Sequence, residues 1–176
     1  MKISDDKNIV ELQIGRKVRS EVEVEARCHF GLPTVISVPP NLQDGTPFPT
    51  TYWLTCPLLV KKVGSLEANG LIKIFDDLIQ KKGNFRDLWA KRQKTYKEER
   101  IKLVTSSSNI IPEGGVGGTK DHIKCLHAHL ADELATGKNS VGKSVETLIG
   151  GYSCENSCTE QKEGRNILNP NWKYKW

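Results

Sequence analysis

"EVEVEARCHF", residues 21–30, decides the fold class. Glu21, Glu23 and Glu25 alternate with Val22, Val24 and Ala26, and the same phase runs on to Cys28. Alternation with period two puts the two sets on opposite faces of a strand, so one face is buried and Cys28 ends the strand on that face. Gly31 and Pro33 break the run, and "TVISV", 34–38, reads as a second short strand. "PPNLQDGTPFPT", 39–50, is a loop with a turn signal at Asp44-Gly45. "TYWLT", 51–55, is a third strand, stopped by Cys56-Pro57. Short strands with short links fit an antiparallel sheet.

Helical patterns flank these strands. Asp5 to Ile14 reads as a short helix that Gly15 ends. Downstream, Pro57 suits a first helical position. Leu59, Val63 and Leu66 then share one face as far as Asn69-Gly70. Leu71, Phe75, Leu78 and Ile79 make the next helix, which Gly83 closes. Asn84 opens a long helix with Phe85, Leu88, Trp89 and Tyr96 turned inward. Its other face carries Lys91, Arg92, Lys94, Lys97 and Arg100, the pattern of a solvated face or of a nucleic-acid groove binder. Residues 105–118 are loop by composition. Thr119 then caps "KDHIKCLHAHLADELAT", with Ile123, Leu126, Leu130 and Leu134 as its apolar stripe. A shorter helix follows over Val141 to Ile149. The expected class is α+β: a small antiparallel sheet of about three strands packed by about five helices. Residues 1–151 make one domain. Residues 152–176 make a polar tail, either disordered or docked through Trp172 and Trp176.

"GKNSVGKS", 137–144, fits the phosphate-loop pattern G-x-x-x-x-G-K-[ST] and so tests that assignment. A phosphate loop needs a strand delivering the turn onto a helix N-terminus. Here the preceding "HLADELAT" has helical spacing, so Gly137 reads as a helix C-cap and Ser140 as the next N-cap. No nucleotide is expected. A better anion site is the glycine run before Thr119, where amides of Gly117, Gly118 and Thr119 and the Lys120 ammonium face a helix N-terminus. A plain hinge is the alternative.

The chain has 176 residues, 26 basic and 21 acidic, for a formal charge of +5. No apolar run reaches membrane-spanning length and no secretory signal opens it, so a cytoplasmic location without membrane association is expected. Nucleic acid is possible but not favoured. Five cysteines in such a compartment point to metal ligands, a reactive thiol or small buried hydrophobes. "DHIKCLHAH", 121–129, is the densest stretch. On a continuous helix His122, Cys125 and His129 share one face and His127 lies opposite. Cys28, Cys56, Cys125 and His129 then form a candidate zinc set. The thiol reading makes Cys125 a nucleophile with His127 or His129 as its base.

"ARCHFGLPTVI", "DGTPFPTTYWLTCP", "LEANGLI", "GGVGG" and "KCLHAHLADELA" occur in that order, and together they resemble the family of domain of unknown function 501 (DUF501) over roughly residues 8–150. The resemblance implies a small, single-domain, cytoplasmic bacterial protein, and it implies no reaction. Its signature falls on Cys28, Gly31, Pro33, the 44–49 turn, Leu54 to Pro57, Gly117, Gly118 and Lys124 to His127. That signature favours His127 beside Cys125, whereas helix geometry favours His129, and both stay open. Two functional readings stand. One is a metal or thiol site beside an anion-binding loop, acting on phosphate-containing or acyl substrates. The other is a zinc-stapled, non-catalytic module that binds nucleic acid or a protein partner through its basic helix.

Overall fold

A computed structural model describes residues 3–42, 44–104 and 112–174. The fold is α+β, with a three-stranded antiparallel sheet and a separate two-stranded hairpin packed against six helices. The elements run α1 (Ile3–Ile14), β1 (Glu23–Arg27), β2 (Pro33–Ser37), β3 (Tyr52–Leu54), α2 (Pro57–Ala68), α3 (Leu71–Gln80) and α4 (Asn84–Lys102). A short 3-10 turn at Val116–Gly118 follows, then α5 (Leu126–Thr136), α6 (Ser140–Leu148), β4 (Thr159–Lys162) and β5 (Arg165–Leu168). Half of the 105–118 loop, residues 105–111, lies outside the described residues.

The alternation at 21–28 survives as exposure, but not as one face. Val24 pairs with Ile36 and Ala26 with Val35, so Glu25 is an extra residue that bulges β1. The bulge switches sides: Val22 and Val24 pack with Val10, Ile36 and Val38, whereas Ala26 packs with Val35, Leu54 and the helices beyond. Cys28 belongs to neither group and packs with Ile9, Leu32, Cys158 and Trp172. β2 is the central strand and is covered on both faces, by α1 on one and α5 on the other. Around α5 the main core gathers Leu59, Val63, Phe75, Ile79, Trp89, Val141 and Val145, one or two from each neighbouring helix.

α4 departs most from its sequence pattern. Leu88 and, in α3, Leu78 point outward, 47% and 41% exposed. Arg92 and Arg100 instead take buried positions on the face of Trp89 and Tyr96. Arg92 makes bidentate pairs with Asp132 of α5, at 2.8 and 2.6 Å, and with Glu99, at 3.1 and 2.9 Å. Arg100 donates to the carbonyls of Pro49 and Phe48 at 3.1 and 2.6 Å. Two of the five cations assigned to the solvated face therefore serve the fold, which thins the basic surface a nucleic acid would meet.

The phosphate-loop match is an inter-helix turn. Gly137 is left-handed, at φ +66°, and its N–H bonds the Glu133 carbonyl at 2.7 Å. The cap of α6 is Asn139, one residue before the expected Ser140: its Oδ1 accepts from the Gly142 amide at 2.9 Å. Lys143 pairs with Glu146 at 2.8 Å. Between residues 152 and 174 the tail carries regular structure. β4 and β5 form a hairpin that touches α1, and Trp172 packs beside Cys158. Trp176 lies outside the described residues. No helix among the described residues is long and apolar enough to cross a membrane.

Candidate metal centre

The stretch 119–125 is not helical. Thr119 is extended, and α5 begins at Leu126 with Cys125 in extended conformation before it. Acceptors from distant helices explain this. Asp76 of α3 takes the Ile123 amide at 2.8 Å, and Glu67 of α2 takes the Leu126 amide at 2.6 Å. Glu67 thus does from another helix what a capping side chain does locally. With the helix starting late, His122, Cys125 and His129 no longer share a face. His122 pairs with Asp121 at the surface, at 2.7 Å.

Cys125, His127 and Glu67 come together instead. One ligand atom from each lies within 4.8 Å of the others, and all three residues are half-buried. Among the described residues they form the group of histidine, cysteine and carboxylate side chains able to hold a metal ion. His127 Nδ1 is 3.1 Å from Glu67 Oε1, and Nε2 is 3.1 Å from the Val60 carbonyl. Burial disfavours the charged ring, but hydrogen bonds to Cys125 and Glu67, with their charges, outweigh it and push the His127 pKa up to about 10. Burial would likewise raise the Glu67 carboxyl. The His127 ring and the amides of Leu126 and His127 win, and hold it below its ordinary value.

His129 is elsewhere. It is fully buried on the far side of α5, with Nδ1 3.1 Å from Asn139 Oδ1 and Nε2 without a hydrogen-bond partner among the described residues. Burial lowers its pKa to about 4, against weaker support from Asn139 and Asp132. The unfolded chain takes up this proton near pH 6.5, whereas the folded chain resists to about pH 4. Stability from this group is therefore complete above 6.5 and falls, by about 1.4 kcal/mol per pH unit, as pH drops through that window. Urea unfolding of wild type and His129→Gln between pH 7 and 4.5 is expected to show the extra slope in wild type alone. Parallel curves for the two proteins would contradict it.

Among the described residues, Cys28 and Cys56 form no metal-holding group with Cys125 or His129. They line a different cavity together with Cys154 and Cys158. Burial pushes the Cys56 thiol up to about 11, against the amides of Leu59 and Leu58.

The glycine run is shaped by packing. A Cβ on Gly114 would sit 2.4 Å from the Gly118 backbone, and one on Gly115 would sit 1.8 Å from Gln93 Oε1. Gly117 and Gly118 are left-handed, at φ +68° and +74°. The amides of Gly115, Val116 and Gly118 donate to Thr119 O, Gln93 Oε1 and Gly115 O. Thr119 is buried, and Lys120 pairs with Glu113 at 2.5 Å. The helix N-terminus expected behind this loop lies at Leu126 instead.

Glu67 carries one signal in the sequence. It stands in the last turn of α2, where the helix dipole disfavours a carboxylate, so it needs a partner outside its own helix.

These observations define an α+β protein with a Glu/Cys/His cluster able to coordinate a metal ion. The chain belongs to the family described as a protein of unknown function, DUF501, whose model matches residues 24–147. The match includes Glu67, Cys125 and His127 and stops short of Cys154 and Cys158. No curated protein and no solved structure matches the chain.

Proposed function

We propose that Glu67, Cys125 and His127 hold a zinc-class divalent ion with one coordination position open, and that the protein uses it in hydrolytic chemistry. The setting of the His127 ring carries this reading: Nε2 faces the Val60 carbonyl and Nδ1 faces Glu67. A ligating histidine characteristically donates its second N–H to a carbonyl or carboxylate, which fixes the tautomer and aims the other nitrogen at the metal. Sulfur, nitrogen and oxygen in one set suit zinc, and three protein ligands leave room for water or substrate. Bound there, the ion would acidify its water or polarise a substrate oxygen. Cys125 adds a sulfur ligand at the start of α5, and the Leu126 amide orients Glu67.

A phosphate-containing substrate fits the surroundings best. Lys94, Lys97 and Lys120 line a groove of about 410 Å³ beside the glycine loop. Val116 of that loop packs in the same small cluster as Cys125. In this reading the three lysines face the anion, and Gly115 and Thr119 only border the groove. A second reading is supported by the proximity of Cys125 and His127, which offer ligand atoms within 4.8 Å of one another. It makes Cys125 a thiolate nucleophile, His127 its acid–base partner and Glu67 the group that orients the ring.

Calorimetric zinc titration of the metal-free chain separates the two. Cys125→Ser and His127→Gln are each expected to lower affinity at this site at least ~10–100-fold, the range that losing even a supporting partner of a ligand produces. Because zinc must displace the His127 proton, wild-type affinity should rise with pH toward about 10. Full affinity in both variants sinks the metal reading. Fast alkylation of Cys125, slowed by His127→Gln, would then favour the thiol reading.

A further inference from the structure

Four of the five cysteines meet at one place that the Glu67 cluster does not touch. Cys28 follows β1, Cys56 precedes α2, Cys154 bridges to Tyr174, and Cys158 leads into β4. All four line a cavity of about 20 Å³ whose other walls include Leu32, Pro33 and Leu58. That volume is about what a water molecule or a single ion requires.

We infer that Cys28, Cys56, Cys154 and Cys158 form a second metal site, a closed four-thiolate zinc centre that fastens the C-terminal segment to the body of the protein. Three observations support it. First, the donor chemistry is right: four soft ligands from separate segments converge, and an all-cysteine set around zinc is tetrahedral and closed. Second, N–H groups aim at two of these sulfurs: the Trp172 indole donates to Cys154 Sγ at 3.3 Å and the Gln13 amide donates to Cys158 Sγ at 3.6 Å. Such donors stabilise thiolates and orient them in metal centres. Third, the tail buries little apolar surface beyond its hairpin and Trp172. Between Tyr152 and Tyr174, Cys158 is the sole buried hydrophobic residue. Surface contacts such as Lys61 over the rings of Trp172 and Tyr174 hold the rest. Little apolar burial is thus available to offset the entropy of ordering.

No three of the four sulfurs lie within 4.8 Å of one another in this structure. A tetrahedral zinc with bonds of ~2.3 Å draws them to roughly 3.8 Å. Filling the site is therefore a contraction of an existing cavity, in which four thiols lose their protons and four Zn–S bonds form. Nothing here depends on Glu67, Cys125 or His127.

The test uses the full chain carrying Cys125→Ser, which leaves these four cysteines as its only thiols. Purified reduced and without an affinity tag, it is expected to hold one zinc per chain. All four thiols should resist a disulfide reagent until a chelator is added. Cobalt in place of zinc should give the thiolate charge-transfer absorption of a tetrahedral site. Adding Cys154→Ser should abolish the absorption, and chelation should open residues 152–174 to proteolysis. If the four thiols of the Cys125→Ser chain react freely in excess zinc, the proposal is overturned without recourse to any cavity variant. Wild type that holds no more zinc than Cys125→Ser, one ion per chain, would overturn the preceding reading and leave this one standing.

Discussion

Asp132→Ala is expected to lower the stability of the protein by about 3–5 kcal/mol, the largest single-site effect outside the metal ligands. Asp132 is fully buried and accepts from Nε and Nη2 of Arg92, itself 3% exposed. The Asn139 Nδ2 amide also donates to Asp132, at 2.7 Å, and Asn139 in turn caps α6. One carboxylate therefore joins α4, α5 and the start of α6. Removing it strands a charged guanidinium in the interior, with only the partly exposed Glu99 left to pair it. The stranded charge, more than the lost bond, makes the cost large. Urea unfolding of wild type, Asp132→Ala and the double variant Arg92→Met/Asp132→Leu checks this. The double variant should recover much of the loss, because it removes both charges together. A cost below about 1 kcal/mol for Asp132→Ala would mean that water reaches Arg92.

Gly142→Ala is the second large effect. Gly142 has an ordinary helical backbone, so conformational freedom is not its purpose. A Cβ there would lie 2.2 Å from the His129 carbonyl oxygen and 2.6 Å from Glu133 Cβ, both on α5. Backbone cannot yield as a side-chain tip can, so α6 must move off α5. The expected cost is at or above the ~1–3 kcal/mol of ordinary overpacking. Thermal unfolding, with Gly151→Ala as a control whose Cβ meets nothing within 4 Å, checks it. A loss no greater than the control's would contradict the close approach. The same glycine is the second of the phosphate-loop match at 137–144. Its conformity to that pattern is accounted for by helix contact, and Lys143 by its pair with Glu146.

Much of the architecture was readable along the chain because it rests on neighbours in sequence. Period-two alternation over 21–28, the break at Gly31 and Pro33, and Pro57 after the third strand each mark an element by local chemistry. They place an antiparallel sheet ahead of a run of helices. The helical spacing of "HLADELAT" was enough to deny a phosphate loop its strand. Leu126 and Leu130, two members of the stripe proposed for that helix, are fully buried in the core.

The site was less readable, because it depends on where α5 begins. Sequence spacing carries the helix back to Thr119 and puts Cys125 beside His129. Carboxylates of α2 and α3 hold the Ile123 and Leu126 amides instead, and the late start turns Cys125 toward His127. Glu67 joins them from 58 residues upstream of Cys125, a separation that no local period encodes. Likewise, a one-residue bulge at Glu25 takes Cys28 out of the phase of Val22, and the returning tail brings Cys154 and Cys158 to it. By itself, the sequence determined the α+β class, the order of strands and helices, and the cysteines and histidines from which a site would be drawn. Only the tertiary structure decided which of them meet. Caps supplied from another helix, a bulge and a docked tail are long-range hydrogen-bonding and packing events, and their energies depend on residues far apart in the chain.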